Sequence, residues 1–192
     1  MTKPLRPTHQ PPGVYHHTVG EMTVTALNDG AFEAAFAYLT HIPPDEAEAL
    51  HRASFRAIPP RITISCFLLQ TDARRILVDS GCGTAMGPGL GALGSSLLAL
   101  GVQPGDIDTV LATHLHPDHI GGLVDSNGGA VFPNAELVVH EADLRFWGDD
   151  ATLAQAANDQ DRGFVQLARA TIAAYHDRTR SLTGGEALPG IP

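Results

Sequence analysis

The stretch Thr113-His114-Leu115-His116-Pro117-Asp118-His119-Ile120-Gly121-Gly122 decides how this chain of 192 residues is read. It gathers three of the chain's 10 histidines and a carboxylate into one short segment. Neutral imidazole nitrogen and carboxylate oxygen are ligands suited to zinc and similar divalent ions. In extended backbone His114 and His116 share a face, because alternate side chains point the same way, so the pair is placed to grip one cation. Pro117 turns the chain so that Asp118 and His119 face a second cation, and the paired glycines let backbone pass close by. Two cations roughly 3.5 to 4 Å apart are an arrangement that clamps a hydrolytic transition state. The competing reading is a polar, solvated loop with a satisfied core histidine. Four ligand-type residues at this spacing, directly after a strand, favour the metal site.

Outward from this segment the chain alternates strands and helices. Residues 108–112 form a strand that delivers the histidines at its tip. Before it, Leu90, Leu93, Leu97 and Leu100 follow helical spacing, with Gly101 suited to the C-terminal cap. Residues 62–69 and 75–79 read as two strands of a hairpin joined by the polar Thr71-Asp72-Ala73-Arg74. Met22, Val24 and Ala26 alternate with Glu21, Thr23 and Thr25, which predicts a half-buried strand ended by a turn at Asn28-Asp29-Gly30. Pro43-Pro44-Asp45 opens a short helix through Ala53, expected as a surface insertion near the site. Downstream, a strand over 135–139 and a short helix over 141–147 are expected. A long helix over 161–177 follows, with Phe164, Leu167, Ala168, Thr171, Ile172 and Tyr175 on one face.

The segment from His114 to His119 resembles the His-x-His-x-Asp-His signature of the metallo-β-lactamase superfamily, here followed by Ile-Gly-Gly. The resemblance implies an α/β chain built as an αββα sandwich, with residues 14–192 in one domain after a flexible arm at 1–13. Ile76-Leu77-Val78-Asp79-Ser80-Gly81 resembles the family's strand ending in an aspartate beside the metals. Asp79 is therefore expected to orient a ligand histidine from outside the ligand set; without the cluster it would read as a strand-end acid capping a turn. Residues 18–30 and Phe132-Pro133-Asn134-Ala135-Glu136 resemble the lactonase and methyl parathion hydrolase branch. By this resemblance His114, His116, Asp118 and His119 hold zinc, two divalent ions in a complete site, with iron or manganese as alternatives. A metal-activated hydroxide then attacks a lactone, ester or phosphoester, and Asp118 is the catalytic residue that holds or moves the nucleophile's proton.

The family completes its centre with a Gly-His segment, a bridging aspartate and a last histidine, which nothing after His119 matches. Glu186-Ala187-Leu188-Pro189-Gly190-Ile191 resembles the strand just upstream of them. The expectation is a sandwich incomplete in its C-terminal half, and activity impaired accordingly. A non-catalytic metal-binding remnant and an iron-dependent oxygenase on the same fold are the alternatives. His140 is expected as a strand-end residue and His176 as a cation near a helix C-terminus, neither as a ligand. Phe146 and Trp147 line a substrate mouth or lie buried under a helix.

Composition narrows the partners. The net charge of -9, with 12 basic residues scattered along the chain, argues against nucleic acid. No run is long and apolar enough for a membrane span, and no apolar leader core is present in the first 20 residues. Cys66 and Cys82 are too few for a disulfide scaffold, so reduced thiols and a cytoplasmic location are expected. The expected partner is a small-molecule substrate; the oligomeric state is open, a dimer included.

Overall fold

The computed structural model describes residues 13–188. In chain order they form β1 (Val14–Val19), β2 (Met22–Glu33), α1 (Pro44–Ala53), β3 (Arg61–Gln70), β4 (Arg75–Val78), α2 (Leu93–Ala99), β5 (Thr109–Leu111), α3 (Pro117–Ile120), β6 (Glu136–His140), α4 (Glu141–Gly148), α5 (Asp150–Ala154), α6 (Asp159–Ala174) and β7 (Thr179–Leu182). The expected arm at 1–13 lies, apart from Gly13, outside the described residues, as do the last three residues, 189–191, of the expected C-terminal strand.

The strands make one sheet in sequence order, β1 to β7. Pairings are antiparallel from β1 to β4 and parallel from β4 to β7. The change of sense follows from the connections. A four-residue turn, in which Thr71 Oγ1 accepts from the Ala73 and Arg74 amides, closes the β3–β4 hairpin. Parallel neighbours need crossovers, and helices supply them.

Strand alternation sorts the side chains into two faces. Leu27, Cys66, Leu68, Leu77, Val110, Leu137 and Val139 face a layer made by α2, α3, α4 and α6, and form the main core with Leu93, Leu97, Ile120, Trp147, Val165 and Ala168. Each fully buried Leu or Val there contributes about 1.5–3 kcal/mol. The opposite face carries a smaller cluster, in which Leu69, Leu111 and Leu182 pack partly buried around Ile76, Val138 and Leu188. Phe67 on that face is still exposed. The described residues thus supply one helix layer and one sheet of the expected αββα sandwich. No helix among them is long and apolar enough to cross a membrane.

The long helix behaves as its pattern predicts. The Asn158 side chain accepts the Asp161 amide at 2.9 Å to start α6, and acids fill the first turn. It ends at Ala174 rather than 177, because Tyr175 leaves the helical conformation and residues 176–178 form a short 3-10 turn. The buried Tyr175 hydroxyl donates to Leu123 O and accepts from the Phe132 amide, tying this helix end to the loop behind the histidines.

Two expectations on β2 are corrected. Asn28-Asp29-Gly30 is no turn but an irregularity inside a 12-residue strand, where pairing with β3 slips between Asn28 and Gly30. The buried face is also the other one: Thr25, Leu27 and Asp29 are buried, while Val24 and Ala26 are only partly covered. The slip keeps the chain extended while aiming Asp29 into the helix-covered side.

Candidate metal centre

β4 and β5 run parallel, with Val78 opposite Leu111, so Asp79 and Thr113 emerge side by side at the strand tips. Asp79 adopts a left-handed backbone conformation, φ 58°, and its amide donates to Leu111 O at 3.0 Å. Its nearly buried carboxylate collects the Thr113 amide at 2.8 Å and the Thr113 hydroxyl at 2.9 to 3.0 Å. The same carboxylate meets His119 Nδ1 at 2.8 Å. One acid therefore fixes both ends of the histidine segment.

Between those ends, His116 is the residue preceding α3 and Pro117 fills its first position, where a missing N–H costs nothing. Asp118 lies in the first turn and Asp118 Oδ2 stands 3.3 Å from His119 Nε2. The His114 ring lies 3.9 Å from that of His119 and 4.8 Å from that of His116, centre to centre. His116 in turn packs edge-on against Trp147, with centres 5.2 Å apart.

The surroundings set the protonation states. Burial, helped by His119 and His116 nearby, holds His114 below the usual imidazole value, which keeps it neutral. Burial opposes charge on His119 too, but hydrogen bonds with Asp118 and Asp79 outweigh it and lift its pKa to about 9. The His119 hydrogen bond likewise holds the Asp118 carboxyl below its ordinary range. With no cation bound, His119 thus carries a proton on each ring nitrogen between two carboxylates, and a cation at Nε2 would displace the proton there.

The donor chemistry fits divalent cations: neutral imidazole at His114, a carboxylate at Asp118, and at His119 a ring whose Nδ1 is taken by Asp79, leaving Nε2 as the ligating nitrogen. The donors touch one another rather than ranging around a shared centre. No three His, Cys, Asp or Glu side chains among the described residues stand in a ready-made metal cage.

Glycines let two loops meet behind the cluster. A Cβ on Gly121 would lie 2.2 Å from Cys82 O, and one on Gly122 would lie 2.3 Å from Ser80 O. Backbone is joined there as well, with the Ser80 amide donating to His119 O at 2.7 Å.

The family profile of the metallo-beta-lactamase superfamily matches residues 59–188. The chain belongs to that superfamily. Among solved structures it is similar to hydrolase AbOPH of the beta lactamase superfamily, at 31% identity and TM-score 0.81, over 93% of this chain and 64% of that one. It is similar, at 25% identity and the same TM-score and coverage, to AidC, a dizinc quorum-quenching lactonase. The Homo sapiens metallo-beta-lactamase domain-containing protein 1 is 45% identical over 64 residues, 33% of this chain and 20% of the human protein. The chain thus spans less than two thirds of the length of each of these three superfamily relatives.

Several residues around the centre escaped the sequence reading. Asp143 on α4 accepts the Leu115 amide at 3.0 Å and Trp147 Nε1 at 3.1 Å, so it ties the middle of the histidine segment to the ring beside His116. His140 is more than an exposed strand end: its Nδ1 accepts the Ala142 amide and caps α4. His176 is exposed and pairs with Asp177 at 2.9 Å. Asp143 carried a weak signal, an acid four residues before a tryptophan on one helix face; its reach to Leu115 carried none.

Both cysteines are buried and unbonded to each other. Burial, reinforced by Asp29, pushes the Cys82 thiol up to about 12, and burial with Asp29 and Asp79 raises Cys66 further. A folded-state pKa above the unfolded one gives stability that is complete below about 9 and is lost as pH rises through the folded value. Neither thiol of the folded chain should react with iodoacetamide at pH 8 on the time scale of the unfolded chain. The urea midpoint should fall between pH 9 and 11 more steeply than in Cys82→Ser. Rapid labelling of the native chain would contradict the buried assignment.

Proposed function

We propose that this chain is a metal-dependent hydrolase of the lactone, ester or phosphoester class. His114, His116, Asp118 and His119 hold its divalent cations, zinc in the first instance. The observation that carries the reading is the clamp at the sheet tip: Asp79 binds His119 Nδ1 and both polar groups of Thr113, which points the imidazole's other nitrogen toward Asp118. Such an outer carboxylate behind a ligand histidine fixes the tautomer and raises ligand basicity. The likeness to AidC, whose name gives both zinc and lactonase activity, favours the same class here.

Divalent cations held by His114, His116, Asp118 and His119 would lower the pKa of water toward 7 and would polarise the electrophilic carbon or phosphorus. The chain's own groups do the rest. Asp118, ionised at neutral pH, is the acceptor for a proton at Oδ2 and returns it to the leaving oxygen. Asp79 and Thr113 keep His119 from turning. Beside His116 lies a cavity of about 350 Å³ lined by Phe146, Trp147, Thr152, Gln155 and Phe164. Its mostly apolar wall suits a substrate with a hydrocarbon substituent.

The test is metal content and turnover measured on one preparation. Purified chain supplemented with zinc should take up metal and hydrolyse at least one member of a panel of acyl lactones, aryl esters and phosphotriesters. Alanine at His116 should remove both. Metal uptake without turnover on any panel member would favour a non-catalytic metal-binding chain, iron uptake with oxygen consumption an oxygenase, and no uptake would end the proposal.

A further inference from the structure

Asp29 is a carboxylate with no solvent exposure. An ionised acid survives burial when donors fill its oxygens. Three backbone amides do so here: Cys82 at 2.8 Å and Gly91 at 3.1 Å on Oδ2, and Leu93 at 2.9 Å on Oδ1. The Asp29 carbonyl accepts a fourth, from Ala92 at 3.0 Å. Three of the four donors lie in the connection between β4 and α2, and the fourth, Leu93, is the first residue of α2.

That connection starts at Asp79 and is pressed from its other side onto the histidine segment. The Ser80 amide and hydroxyl both donate to His119 O, and the Gly122 amide donates to Ser80 Oγ. Contact with Asp29 is close enough that a Cβ on Gly81 would fall 2.2 Å from its carboxyl carbon. Asp79, meanwhile, holds a left-handed conformation that a residue with a Cβ keeps only where both flanks are fixed. Leu111 O fixes one flank; Asp29, through the Cys82 amide, fixes the other.

We propose that Asp29 is a positioning residue for the metal centre: it pins the 80–93 connection so that Asp79 presents its carboxylate to His119. The proposal rests on His119 being a metal ligand. Asparagine at this place keeps the shape but turns an NH₂ toward amides that need acceptors, so Asp29→Asn loosens the connection without emptying the site.

The test compares zinc affinity, read by competition with a chromophoric chelator, and the His119 Nδ1 proton resonance of the metal-free chain. Asp29→Asn should weaken zinc binding about tenfold or more, the scale on which outer partners of ligands act, and should shift or broaden that resonance. Val138→Ala, on the opposite face of the sheet, should lower the melting temperature while leaving zinc affinity within twofold. Asp29→Ser, which keeps one acceptor, serves if the asparagine variant does not fold. Affinity within twofold in the Asp29 variant, or equal losses in both variants, overturns the proposal. If the unsubstituted chain takes up no zinc, the ligand reading of His119 falls by itself; Asp29 is then judged on the resonance, and no change there overturns its role.

Discussion

Asp118→Ala should lower kcat/KM for the hydrolysed substrate by roughly 10²- to 10⁴-fold, the range supplied by a positioned proton acceptor, while the melting temperature changes little. Asp118 is partly exposed, and its close side-chain partner is His119 at 3.3 Å, so removing it leaves the core untouched. The loss comes from two jobs at once: a ligand oxygen disappears, and so does the base at Oδ2. Asp118→Asn separates them. It keeps an oxygen but carries no charge, so it should retain more metal than the alanine variant and yet remain slow. Hydrolysis unchanged by alanine would remove Asp118 from the chemistry and leave the fold assignment standing.

What the sequence made legible was whatever is local. The six residues from His114 to His119 carry a metal-ligand pattern in their spacing, and the strand that delivers them is read from residues 108–112. The β3–β4 hairpin and α6 were equally plain, because period and capping residues sit within one element. Asp79 was expected behind a ligand histidine because Ile76 to Gly81 resembles the superfamily's strand ending in an aspartate; its strand-end place alone would have made it a turn cap, and the structure sets its carboxylate against His119 and Thr113. Asp29 was misread because its role is non-local. Asn-Asp-Gly is a strong turn signal, and only donors 53 to 64 residues away in the chain make it a strand irregularity instead. The face of β2 was inverted for a related reason: its alternating threonines look solvent-facing, yet Thr25 is buried, with its hydroxyl 2.8 Å from His16 Nδ1 on β1. Asp143 escaped because a helix acid looks like surface until a distant amide reaches it.

Gly121→Ala should be among the most destructive single-methyl additions in the described residues, costing about 3 kcal/mol or more in urea unfolding, at the upper end for overpacking. The added Cβ would sit 2.2 Å from Cys82 O, 2.5 Å from Cys82 C and 2.7 Å from Pro117 O. Its neighbours are backbone atoms, so no side chain can swing aside; the two loops must part. Parting them breaks the bond from the Ser80 amide to His119 O and pulls Asp79 away from the imidazole it holds. Metal affinity should therefore fall together with stability, which distinguishes this change from a remote core truncation. Gly163→Ala is the opposite case. Gly163 is exposed in the middle of α6, and its added Cβ meets nothing within 4 Å. There the helix gains the propensity difference between glycine and alanine, up to about 1 kcal/mol. A loss at Gly163 would mean only that this face of α6 is not open, whereas a mild effect at Gly121 would mean that the loops behind the histidines are not packed as described. The route from Asp29 through Asp79 to His119 would then lose its physical basis.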